Sequence, residues 1–140
     1  MIAIKEQLLA AVQTALQTVA PESSVVANLE VPKVASHGDF ALTAAMQLAK
    51  PLKKNPRDVA NALVEALSQQ AVFQQWVAGT ELAGPGFINI RLTPEAKRQV
   101  VREVLAAGPR FGARPIDDSV PNKKLLVEFV SANPTGPLHV

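Results

Sequence analysis

Residues 76–92, from Trp76 to Leu92, read WVAGTELAGPGFINIRL. Glycine supplies positive φ and proline pre-sets φ for a turn, so Gly84-Pro85-Gly86 marks a reversal between two extended runs. Trp76–Ala83 and Phe87–Leu92 are therefore expected to pair as a β-hairpin. Side chains alternate across a strand, which sends Ile88, Ile90 and Leu92 to one face and Phe87, Asn89 and Arg91 to the other. The first three are plainly core. The second three put a ring, an amide and a cation on a face that alternation leaves to solvent. A ring stacks a base, an amide reads a base edge and a cation meets phosphate, the parts used on single-stranded loop nucleotides. The same trio also fits an ordinary solvated surface, because single exposed apolar residues are common.

Downstream, Thr93-Pro94-Glu95 supplies a cap, a proline at the first helical position and an acid for the first turn. The helix it starts is expected to turn Val100, Val101, Val104 and Leu105 inward and to end before Gly108. Lys97, Arg98 and Arg102 fall on its outer side. With Lys53, Lys54 and Arg57 they supply the cations for a phosphate-tracking patch or, equally, for solubility. Residues 108–124 (GPRFGARPIDDSVPNKK) are rich in proline, glycine and charge without periodicity, as an interdomain linker is. Leu125–Val130 (LLVEFV) is an apolar run of the kind buried on both faces of a sheet, and turn residues Ser131–Pro137 lead from it to His139. Strand, polar turn and histidine are the layout of a ligand site at the carboxyl end of an open α/β sheet. The helix that should follow is missing, so the chain reads as a fragment ending inside its own site. A strand of that kind without its sheet has no partner, so residues 125–140 are expected to be poorly ordered.

Upstream, Ile4, Leu8, Val12, Leu16 and Val19 recur at helical spacing up to Pro21. Val25–Val31 has the pattern of a strand, with Pro32 at its end. Ser36-His37-Gly38-Asp39 is a loop whose Ser36 or Asp39 is expected to cap a buried, alanine-rich helix over Phe40–Lys50, stopped by Pro51. Asn55-Pro56-Arg57-Asp58 restarts helix, with Val59, Leu63, Ala66 and Leu67 on the inner face. No cysteine, second histidine or paired carboxylate stands at metal spacing from His37, which reads as a structural loop residue.

Bulk composition narrows the class. A 140-residue chain with 48% hydrophobic and 19% charged residues is globular, one domain with a real core and not two complete ones. A formal charge of +2 permits a nucleic-acid partner without demanding one, and the lack of cysteine excludes disulfides and thiolate metal sites. Lys5, Glu6 and Gln7 interrupt the N-terminal apolar pattern, so it lacks the continuous core of a signal peptide or membrane span. A cytoplasmic monomer is the expectation.

Three separated stretches resemble one family in the right order. They are His37-Gly38-Asp39-Phe40-Ala41 with Ala45-Met46-Gln47-Leu48-Ala49-Lys50, then Ala83-Gly84-Pro85-Gly86-Phe87-Ile88-Asn89-Ile90, then VEFVSANPTGPLHV at Val127–Val140. Together they resemble bacterial-type arginyl-tRNA synthetases, across nearly the whole chain. The resemblance implies that His139-Val140 opens the "HIGH" motif of a class I synthetase, with His139 on the ATP phosphates. It also implies that Ser131 and Asn133 contact arginine, and that Phe87 and Asn89, with Arg91 beside them, grip the D-loop of tRNA(Arg). Magnesium would arrive with ATP, and no cofactor is expected on these residues alone. The implied parent enzyme activates arginine with ATP and passes it to tRNA, whereas the 140 residues alone are expected to be inactive.

The expected architecture is α+β, a small antiparallel sheet of about three to four strands carrying about four helices. Residues 1–107 form the tRNA-recognition domain, 108–124 the linker, and 125–140 the severed Rossmann-type strand. A stand-alone RNA-binding module and a protein-interaction domain are the competing readings.

Overall fold

A computed structural model describes residues 2–113 and Leu126. The hairpin forms where its sequence places it, as β2 (Val77–Ala83) and β3 (Phe87–Leu92). A third strand, β1 (Phe40–Leu42), closes an antiparallel sheet in the order β1-β3-β2, so β3 is central. Five helices accompany it among the described residues: α1 (Ile2–Val19), α2 (Ala44–Leu52), α3 (Pro56–Ser68), α4 (Ala71–Trp76) and α5 (Pro94–Ala107). Short 3-10 turns add Ala35–His37 and Gly108–Arg110.

The core lies between one sheet face and the first three helices. Ile4, Leu8, Val12 and Leu16 of α1, Leu48 of α2, Val59, Leu63 and Leu67 of α3, and Ile88 and Ile90 of β3 are each at most 2% exposed. Each side chain so buried contributes about 1.5–3 kcal/mol relative to exposure. Two cross-links join α1 to the neighbourhood of α4: Gln70 Nε2 donates to the Ala11 carbonyl at 2.8 Å, and Trp76 Nε1 to Gln7 Oε1 at 2.9 Å. Helix α3 starts as its sequence says, with Asn55 Oδ1 accepting the Arg57 N–H at 2.9 Å and Pro56 in the first turn.

Four expectations are corrected. Phe40–Leu42 is strand and not the first turn of a helix, because the free edge of β3 takes it up: Phe40 pairs with Ile90, Ala41 with Asn89 and Leu42 with Ile88. Pro51 does not stop α2 but sits in its last turn, and the helix ends where Lys53 turns left-handed at φ 51°. Val25–Val31 forms no strand. Only Glu30 bridges to Ala41, while Val26 and Val31 face solvent and the Ala27 N–H is taken by Gln13 Oε1 at 2.9 Å. On α5 the apolar residues do not turn inward: Val101 is 55% and Leu105 76% exposed, and Ala96 alone is buried. Its N-terminus is fixed locally, Thr93 Oγ1 accepting the Ala96 N–H at 3.1 Å.

Candidate nucleic-acid interface

The face of β3 turned away from the helices carries Phe87, Asn89 and Arg91. The strand register places their neighbours: Ala83 beside Phe87, Glu81 and Ala41 on either side of Asn89, and Gly79 beside Arg91. Three of those four are alanine or glycine, small cross-strand neighbours for the ring, amide and guanidinium. Phe87 is 36% exposed, as the sequence suggests for that face. Asn89 differs from the expectation of a solvent-facing amide, being only 6% exposed. No side-chain hydrogen bond engages it among the described residues, and no buried side-chain polar atom there is sealed off without a partner. Its amide therefore lies at the floor of the face, unspent and still reachable.

The rim of this floor is the Ser36–Asp39 loop, held to β3 by four separate contacts. Arg91 Nη2 donates to the Ser36 carbonyl at 2.9 Å. Gly38 approaches so closely that a Cβ would sit 2.7 Å from the Ile90 carbonyl oxygen, and its φ of +105° suits glycine. The Asp39 N–H donates to that same oxygen at 2.8 Å, and Asp39 Oδ2 accepts the Leu92 N–H at 2.8 Å. Neither Asp39 nor Ser36 starts a helix, since both are committed to the sheet. The Asp39 carboxylate also meets Lys97 Nζ at 2.9 Å, tying α5 to the rim. Partial burial pushes the Asp39 carboxyl up, but the Leu92 N–H, Lys97 and Arg91 outweigh it and hold it below the ordinary carboxylate range.

So anchored, His37 stands exposed at the edge of the face and borders a hollow on either side of Asn89. The sequence reading took it for a loop residue, and its loop is structural, yet the residue also borders the candidate site. Glu81, Thr80 and Gly79 on β2 and Lys33 on the approach were also missed as site residues. Continuing the alternation backwards through the turn would have put Gly79, Glu81 and Ala83 on the face of Phe87. For His37 no local signal exists.

The six cations of the supposed patch do not lie together. Gly86, at the hairpin tip, abuts Pro56, which places Lys53, Lys54 and Arg57 near that end of β3. Helix α5 begins after Leu92, at the other end of a six-residue strand, about 20 Å away. Lys97 is paired with Asp39 and Arg98 with Glu95. Ser131, Asn133, His139 and the run Leu125–Val130, apart from Leu126, lie outside the described residues, as does the linker beyond residue 113. Among the described residues no cluster of His, Asp or Glu is placed to hold a metal ion, and no helix is long and apolar enough to cross a membrane.

The fold defines an α+β domain whose three-stranded antiparallel sheet is backed by helices on one face and open on the other. Residues 4–92 match the family described as arginyl tRNA synthetase N terminal domain. The chain belongs to that family. Arginine–tRNA ligases of Polaromonas naphthalenivorans and Polaromonas sp. strain JS666 are 56% and 59% identical to it over 140 residues, all of this chain and 25% and 24% of theirs. That of Acidovorax ebreus is 57% identical, again over 24% of its own length. The chain thus spans about a quarter of the curated relatives it matches. Arginyl-tRNA synthetase from Plasmodium falciparum shares the fold, with a TM-score of 0.59 over 71% of this chain and 18% of that one, at 13% identity.

Proposed function

We propose that this chain is the part of an arginine–tRNA ligase that grips the D-loop of tRNA(Arg), and that the open face of β3 is the grip. The observation that supports this most is Asn89, a side-chain amide on a residue only 6% exposed that makes no hydrogen bond among the described residues, beside a partly exposed ring. Its polar atoms are not sealed off, so a base edge can take the place of water on them. An extruded base does so, stacking on Phe87 while Asn89 meets its edge. Lys33, which lines the hollow beside Phe87, offers a cation to the backbone of such a nucleotide.

The activity of the longer protein follows from family membership and is part of the same proposal: arginine is activated by ATP and transferred to tRNA in the cytoplasm, by a monomer. Ser131 and Asn133 would contact arginine and His139 the phosphates of ATP, and magnesium arriving with ATP would supply charge neutralisation. The described residues contribute no step of that chemistry, so these 140 residues alone are not expected to arginylate tRNA.

Binding of tRNA(Arg) by the 140-residue chain at fixed salt tests the grip. Base stacking on a ring is worth about 1–3 kcal/mol, so Phe87→Ala should weaken binding from roughly fivefold to more than a hundredfold. Asn89→Ala should weaken it by about tenfold. Both variants should still unfold cooperatively. Parent-like affinity in both would remove the proposal.

A further inference from the structure

Asn89 does not floor one hollow but two, and the two differ in chemistry. On the Phe87 side lies a hollow of about 440 Å³ with a mostly apolar lining, Val31, Pro32, Ala41, Ala83 and the ring itself, and with Glu30 and Lys33 at its edge. On the Arg91 side lies a smaller one of about 220 Å³ lined by Gly79, Thr80, Glu81 and Arg91. Asn89 and His37 border both. From the D-loop reading above, and resting on it, we infer that the Arg91-side hollow is a second base subsite, which takes the nucleotide adjacent to the one stacked on Phe87.

Spacing and charge carry this. Phe87 and Arg91 are four residues apart on one strand face, about 13 Å, with Asn89 midway. That is room for two neighbouring bases, one on each side of the amide. The Glu81 carboxylate, directly across from Asn89, repels a phosphate and accepts from N–H groups. Arg91 spends one nitrogen on the Ser36 carbonyl and keeps other donors for a base oxygen or ring nitrogen. A carboxylate beside a guanidinium suits a base edge that offers an exocyclic amine next to an acceptor. The second subsite therefore takes an amino-bearing base in preference to uracil, while the Phe87 hollow, where a ring and apolar walls dominate, holds its base by stacking. The floor of the second subsite has room at Gly79: apart from its chain neighbours, no atom lies within 4 Å of where a Gly79 Cβ would stand. The loop that carries His37 is preset, because Gly38 and Asp39 hold it against β3.

The test uses the 140-residue chain and a set of tRNA(Arg) transcripts altered at one D-loop nucleotide at a time, with affinities read at fixed salt. For the parent, changes at two neighbouring positions should each cost about tenfold. Gly79→Leu, which projects a side chain from a position with room for a Cβ into the second hollow, should erase the sensitivity at one of those positions only. Phe87→Ala should erase it at the other. Glu81→Gln should lift the penalty for uracil at the Gly79-sensitive position, with thermal unfolding unchanged. A parent sensitive at a single position, or Gly79→Leu and Glu81→Gln that discriminate as the parent does, overturns the second subsite while leaving the grip intact. A parent that binds tRNA(Arg) no better than a tRNA of another specificity overturns the grip, and the second subsite with it.

Discussion

The two faces of β3 are made from alternate residues of one six-residue strand, yet they answer to different demands. Ile88, Ile90 and Leu92 are buried in the apolar core shared with the helices. Phe87, Asn89 and Arg91 have alanine and glycine among their cross-strand neighbours, and their polar groups are partly unspent. Burial stabilises the first face, and the second leaves its binding groups for something outside the domain. A strand that must do both sits in the centre of its sheet, where ladder bonds on both edges hold it while one face stays open.

That division predicts unequal costs. Ile90→Ala should remove about 2–5 kcal/mol of unfolding free energy in urea, as large-to-small core changes do. Phe87→Ala should cost less than about 1 kcal/mol by the same measurement. Equal losses would erase the distinction between the faces. Next in size comes the rim. Gly38→Ala would force a Cβ against the Ile90 carbonyl at positive φ, and about 1–3 kcal/mol should be lost, together with RNA affinity as His37 is displaced. A parent-like variant would mean that the loop is not locked to β3.

Asp39 gives a smaller effect with a sign in pH. Its carboxyl is held below the ordinary range, so the folded state favours the charged form. That contribution is complete above the unfolded value near 3.9 and is lost as pH falls from there through the lowered folded value. Asp39→Asn should cost about 1–2 kcal/mol at neutral pH, and its stability should fall less steeply than the parent's below about pH 4. Parallel pH profiles would show that the Leu92 N–H and Lys97 do not act on the carboxylate. Smallest of all, Leu105→Ser on the outer stripe of α5 should change stability by less than about 0.5 kcal/mol, since that side chain is 76% exposed.

Local signals made much of this legible. A Gly-Pro-Gly turn between alternating runs yields the hairpin and its faces, and Asn55-Pro56 and Thr93-Pro94 each announce a helix start that needs no distant partner. β1 was hidden because Phe40-Ala41-Leu42 runs into an alanine-rich helix, and only the unsatisfied edge of β3 makes it a strand. Helix α5 misled in the opposite way. Spacing shows that an apolar stripe exists, not whether another element lies under it. The site was half visible: alternation assigns Asn89 to a face, but what overhangs it and which hollow adjoins it are set by residues 30–39, about 50 positions away.

Photocrosslinking of tRNA(Arg) to the 140-residue chain, with the joined peptides mapped by mass spectrometry, tests the division of faces most directly. Crosslinks should join D-loop nucleotides to Phe87 and to His37 and leave α1 and α3 unmarked. Crosslinks confined to the helices, with the hairpin and the Ala35–His37 turn unmarked, would contradict it.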